Sequence, residues 1–146
     1  MRIVIQRVKQ ASVRVSGGTV GAIRKGLLIF LGVAKKDTIA NINFIVDKVA
    51  ELRIFADHEG KMNVPIREAG GEFLVVSQFT LLGDCSQGRR PSFDEAADPL
   101  KGEEYYNLFV EELKKKGFKV ETGRFRAMMD VELINDGPVT FVIETK

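Results

Sequence analysis

A chain of 146 residues, 45% hydrophobic and 29% charged, is sized for one hydrophobic core and is neither disordered nor fibrous in composition. Its net charge of +2 is too small to mark a nucleic-acid binder by charge alone. One cysteine, Cys85, and one histidine, His58, exclude an internal disulfide and an ordinary zinc site. The longest apolar run, Leu27 to Ala34 with Gly32 inside it, is far shorter than the roughly 20 residues of a membrane-spanning helix. The start, Met1 to Arg7, enters a strand pattern directly and lacks the layout of a signal peptide. The expectation is a single domain over residues 1–146, cytoplasmic, with no metal, no cofactor and no membrane.

In chain order, residues 3–8 and 12–16 are rich in β-branched side chains, and Ser16-Gly17-Gly18 supplies a turn back through Thr19 to Ile23. Leu27 to Val33 lacks alternation, as a strand covered on both faces does. From Asp37 the period becomes helical, with Ile39, Ile42, Val46, Val49 and Leu52 three or four apart and Asp37 or Thr38 as cap. Asp57 to Lys61 is a polar turn, and Ala69-Gly70-Gly71 precedes an apolar strand, Phe73 to Val76. Gly83 to Pro99 reads as a long loop, of the kind that is often functional. A second helix spans about 101–116, with Tyr105, Leu108, Phe109 and Leu113 on one side and Gly117 as its stop. Strands at 118–122, 127–134 and 139–145 complete an α+β, strand-dominated domain with two main helices.

Three segments carry candidate chemistry. Ser77-Gln78-Phe79-Thr80-Leu81 closes an apolar strand with two hydroxyls and an amide; a hydroxyl nucleophile needs an adjacent base, and the bland alternative is an edge strand with polar side chains. His58, in Asp-His-Glu-Gly, fits a solvated turn better than a base. Asn135-Asp136-Gly137-Pro138-Val139-Thr140 reads from composition as a type I′ hairpin turn, although Pro138 removes a donor where the next strand should start. Gly88-Arg89-Arg90-Pro91-Ser92-Phe93 sets adjacent guanidinium groups beside an aromatic, suited to phosphate or simply solvated. Lys114-Lys115-Lys116 suits a helix C-terminus, and nothing near Cys85 would activate a thiol.

Together, Ser77 to Leu81, Arg90-Pro91-Ser92-Phe93 and Asn135 to Thr140 resemble, in order and spacing, the signature segments of the D-aminoacyl-tRNA deacylase family. The likeness spans the chain, including Gln6-Arg7-Val8, Gly26 to Val33, and Arg53-Ile54-Phe55 with Gly60 to Asn63. It implies a barrel-like fold and a homodimer with active sites at the subunit interface. It also implies hydrolysis of the ester in D-aminoacyl-tRNA, and in glycyl-tRNA mischarged on alanine tRNA. By this resemblance, Ser77, Gln78, Phe79 and Thr80 line the aminoacyl pocket. A cis Gly137-Pro138 enters the partner's pocket and excludes L side chains, which overrides the hairpin reading. Arg7 matches a position that holds this motif; Phe125 and Met129 match positions around the terminal adenosine and the pocket wall. Met128 stands where the family more usually has an acidic residue.

Exclusion is a physically natural filter for such substrates. The D-aminoacyl groups share no side chain to grip, whereas every L-aminoacyl group projects its side chain in one direction. With no activated base in view, the resemblance implies attack assisted by the tRNA's own 2′-hydroxyl, with backbone amides steadying the oxyanion. Two alternatives stand beside it: Thr80 as a covalent nucleophile, and a strand-rich RNA-binding module without catalysis.

Overall fold

The computed structural model describes residues 1–145; Lys146, the last residue of the expected domain span, lies outside them. Its strands are β1 (Arg2–Val15), β2 (Gly18–Ile23), β3 (Gly26–Gly32), β4 (Phe55–Ala56), β5 (Met62–Val64), β6 (Glu72–Ser77), β7 (Val120–Thr122) and β8 (Asp130–Glu144). The helices are α1 (Ile39–Glu51) and α2 (Pro99–Lys115), and a 3-10 turn covers Phe79–Leu82. The main sheet runs β2-β1-β3-β6-β7, and β8 pairs with the free side of β1; β4 and β5 form a separate ribbon. β3, β6 and β7 are mutually parallel, and the connections that make them so carry α1 and α2.

Both helices cover one face of this sheet, which explains why β3 and β6 lack alternation. Leu27, Ile29 and Leu31 of β3 and Phe73 and Val75 of β6 pack against Ile42, Ile45, Phe109 and Leu113 of the helices. Leu28, Leu74 and Val76 point the other way, into a second cluster with Val8, Ala11, Val13 and Ile23 inside the curl of the sheet. Each such side chain contributes about 1.5–3 kcal/mol when fully buried. β1 serves both clusters because it changes face. Ile3 and Ile5 point to the helices, while Ala11 and Val13, also odd-numbered, point into the curl. One extra residue between Val8 and Gln10 relative to β8 reverses the alternation, as a β-bulge does.

The curl nearly closes a barrel where β2 meets β7. A Cβ at Gly21 would lie 2.2 Å from the Thr122 carbonyl oxygen, so only glycine allows that approach. The turn between β1 and β2 holds Ser16 and Gly17 at φ 50° and 80°, where the sequence places its turn residues. α1 is capped by Thr38, whose amide donates to the Asn41 side chain at 2.8 Å. Asp37, the other candidate cap, is instead buried, where it pairs with the Met1 amino group and accepts from the Ala34 amide at 2.7 Å.

Three further expectations change. Residues 3–8 and 12–16 form one continuous strand. The buried stripe of α2 is Tyr106, Phe109, Val110 and Leu113, with Tyr105 and Leu108 at its margin. Residues 130–144 also form one strand rather than two, because both sides of Gly137-Pro138 pair with β1 in the same direction. A hairpin there is excluded: residues 136–139 bulge out opposite the single residue Arg7. No helix among the described residues is long and apolar enough to cross a membrane.

Candidate active site

The carboxyl ends of β3, β6 and β7 open on a cavity of about 660 Å³, the position where parallel strands most often present ligand sites. One wall is Val76, Ser77, Gln78 and Phe79; the second is Phe93 with Ala96 to Pro99; the third is Phe125 to Met129. Of the residues singled out in the sequence, it therefore gathers Ser77, Gln78, Phe79, Phe125 and Met129.

Local bonding fixes the first wall. Gln78 donates its amide to the Leu31 carbonyl at 2.8 Å, extending the β3-β6 ladder by one residue, and the chain then tightens into the 3-10 turn. Leu81 and Gly83 amides close that turn on Gln78 and Thr80 carbonyls. The Phe79 and Thr80 amides find no acceptor among the described residues, leaving two adjacent donors at the start of the turn. Arg2 secures the far side by donating to the Leu81 carbonyl at 2.6 Å.

Thr80 is exposed and stands just outside the cavity lining. Its hydroxyl accepts a hydrogen bond from the Gln78 side-chain amide, and no acid or base bonds it among the described residues. Tyr106, beneath the third wall with its ring 6.1 Å from that of Phe125, is no base either: burial pushes its hydroxyl up to about 12, and it donates to the Val75 carbonyl at 2.8 Å. Met129 is seated by Gly123, where a Cβ would come within 2.7 Å of its sulfur. Met128, where the resemblance implies an acidic residue, is almost fully exposed.

Arg7, Gly137 and Pro138 lie elsewhere. Ser77 pairs with Leu31 and Arg7 with Leu27, a separation of about 13 Å along the strands, with two strand spacings across them to Arg7, about 10 Å, and three to Gly137-Pro138 on β8, about 14 Å. The Gly137-Pro138 peptide is cis and both residues are exposed. Arg7 holds the bulge from below: it donates to the Asp136 carbonyl at 3.1 Å and to the Ile54 carbonyl at 2.6 Å, and pairs with the Asp136 carboxylate. Asn135 bonds the Arg7 and Val139 carbonyls at 3.0 and 3.2 Å.

Sequence reasoning did not assign the second wall to the site. Its signals were the long loop and Gly102 early in α2, a costly residue in a helix, where a Cβ would lie 3.6 Å from the Phe125 ring.

The family described as D-Tyr-tRNA(Tyr) deacylase matches residues 4–144. The chain belongs to this family. Relatives agree: it is 57% identical to a D-aminoacyl-tRNA deacylase of Thermotoga petrophila, over 99% of this chain and 97% of the relative. It is also 57% identical to one of Dictyoglomus turgidum, over 100% and 94%. Among solved structures, a c-Myc DNA Unwinding Element Binding Protein superposes with a TM-score of 0.94 at 37% identity, covering 100% and 99% of the two chains. A probable eukaryotic D-amino acid tRNA deacylase shares the fold, with a TM-score of 0.82 at 17% identity over 97% of each chain. The family fold includes the strand-rich, nearly barrel-shaped sheet and the two helices.

Proposed function

We propose that this protein is a cytoplasmic enzyme that hydrolyses the ester between a D-amino acid, or glycine, and the 3′ end of tRNA, acting as one domain over residues 1–146. The observation that carries the chemistry is the pair of free backbone donors at Phe79 and Thr80 on the rim of an apolar cavity. In ester hydrolysis the carbonyl oxygen becomes an oxyanion as water adds, and preorganised N–H groups stabilise it more than they stabilise the ester. Ser77 and Gln78 line the aminoacyl pocket, and Phe125 and Met129 form the wall toward the terminal adenosine. The terminal 2′-hydroxyl of the tRNA assists attack, since no side chain beside Thr80 serves as base.

Chirality is selected across a homodimer. Among the described residues no strand pairs with the outer edge of β8, a strand of 15 residues, and Ile134, Phe141 and Val142 are exposed at 48%, 38% and 65%. An edge of this length and composition is a template for association, and a second copy covers it. That copy also delivers its Gly137-Pro138 bulge, which one chain cannot bring to its own cavity. The bulge's carbonyls stand where an L side chain would project, so D-aminoacyl and glycyl esters enter and L-aminoacyl esters do not.

Thr80→Ala tests the mechanism. Hydrolysis of D-tyrosyl-tRNA within about threefold of the parent is expected; a loss of about a thousandfold would establish Thr80 as nucleophile. The DNA-binding name of the relative at 37% identity favours a second reading, a nucleic-acid-binding module without catalysis. That reading prevails if purified protein binds tRNA and releases no tyrosine from it.

A further inference from the structure

Read as a pocket for the aminoacylated terminal adenosine, the cavity takes one nucleotide, and its rim continues outward. Phe79 and Phe93 meet edge to face with ring centroids 5.1 Å apart, and are 56% and 38% exposed. The pair is built in place: Gly83 lies against Phe93, where a Cβ would sit 3.0 Å from the ring. From this pair a closed loop projects. Its base is double-bonded, with the Asp84 amide donating to the Ser92 carbonyl at 2.8 Å and the Ser92 amide to the Asp84 carbonyl at 2.9 Å. Its turn is shaped by Gly88 at φ 68°.

Arg89 and Arg90 lie on this loop, exposed and in no ion pair among the described residues. The acids of the loop bond locally rather than to these arginines: Asp84 accepts from the Ser86 amide at 2.8 Å and Asp94 from the Ser92 hydroxyl at 2.7 Å. In the sheet, the half-buried Arg2 and the exposed Arg14 are by contrast paired to Glu144 and Glu132. Two guanidinium groups outside any ion pair, on a loop that springs from two exposed rings, combine phosphate contact with a stacking face, the pairing by which single-stranded nucleic acid is held without sequence preference.

We propose that the rim of Phe79 and Phe93, with Arg89 and Arg90, binds the single-stranded nucleotides immediately 5′ of the terminal adenosine, one base stacking on the rings and the adjacent phosphates meeting the arginines. This rests on reading the cavity as the aminoacyl-adenosine pocket. A single-stranded end fits better than a duplex, because paired bases offer no free face to a ring. Contact through backbone and stacking also reads no sequence, which suits an enzyme that must act on many tRNAs.

The test compares two substrates, D-tyrosyl-tRNA and D-tyrosyl-adenosine, with the parent, Arg89→Ala/Arg90→Ala and Arg89→Lys/Arg90→Lys. The ratio of kcat/KM for the tRNA over that for the adenosine ester is expected to fall about tenfold in the double alanine variant. The double-lysine variant keeps most of the ratio, and thermal unfolding checks that all variants fold. The slope of log KM for tRNA against log salt should flatten by about 1.4 when both arginines are removed, at roughly 0.7 per single-strand phosphate. An unaltered ratio and slope would overturn the proposal, as would equal losses on both substrates, which would make these residues supports of the pocket. Loss of dimerisation on sedimentation would assign the rim to a second copy instead. A parent inert toward both esters would refute the reading of the cavity itself.

Discussion

Replacing Arg7 by alanine removes the support beneath the Gly137-Pro138 bulge while leaving the cavity untouched. The side chain is 12% exposed and donates to two carbonyls, Asp136 at 3.1 Å and Ile54 at 2.6 Å. Hydrogen bonds to a charged donor contribute about 1.5–3 kcal/mol each, so the two anchor the bulge by roughly 3–6 kcal/mol. Asn135 still ties residues 7 and 139, so the bulge should loosen rather than unfold. We expect about 2–3 kcal/mol less global stability by urea denaturation. L-substrate rejection should weaken by about 10–100-fold, at about 1.4 kcal/mol per tenfold, with D-substrate hydrolysis changing much less. Arg7→Lys keeps a cation near Asp136 but has no planar fork to reach both carbonyls, so it should fall between parent and alanine. The assay is single-turnover hydrolysis of matched D- and L-tyrosyl-tRNA. Unchanged rejection of the L ester in a variant that has lost the expected stability would refute the reasoning.

Gly21→Ala drives a Cβ to 2.2 Å from the Thr122 carbonyl oxygen; forcing β2 off β7 should cost about 1–3 kcal/mol, read by thermal unfolding. Gly123→Ala would place a Cβ 2.7 Å from the Met129 sulfur, which must shift, and should raise KM several-fold with little loss of stability, read by steady-state kinetics. Tyr106, raised by burial to about 12, ionises only above its ordinary value near 10. Its contribution is therefore fully present below pH 10 and lost as pH rises from about 10 to about 12, a loss of about 2–3 kcal/mol. Urea unfolding across that range should show this loss in the parent and lack it in Tyr106→Phe.

Elements with both a period and a boundary signal were legible in the sequence. Thr38 before Ile42, Val46 and Val49 places α1, and Ser16-Gly17 places the first turn. The unbroken apolar runs of β3 and β6 reveal strands covered on both faces. Composition misleads at β8 because Asp136-Gly137 has local turn chemistry, whereas the strand's direction is set by pairing with β1 on both sides of the bulge. The cavity was legible in part. Ser77 and Gln78 announce themselves as polar residues ending an apolar strand, but Ala96 to Pro99 join them only through the tertiary path of a long loop. Arg7 and Asp136, 129 positions apart, meet by strand register alone, which no local pattern encodes.

The most direct test of the account is hydrolysis of D-tyrosyl-, glycyl- and L-tyrosyl-tRNA by the purified protein, side by side and without added metal. Rapid loss of the D-tyrosyl and glycyl esters with the L ester spared is the expected result. Comparable hydrolysis of D and L esters would contradict selection by exclusion, and inertness toward all three would contradict catalysis at this cavity.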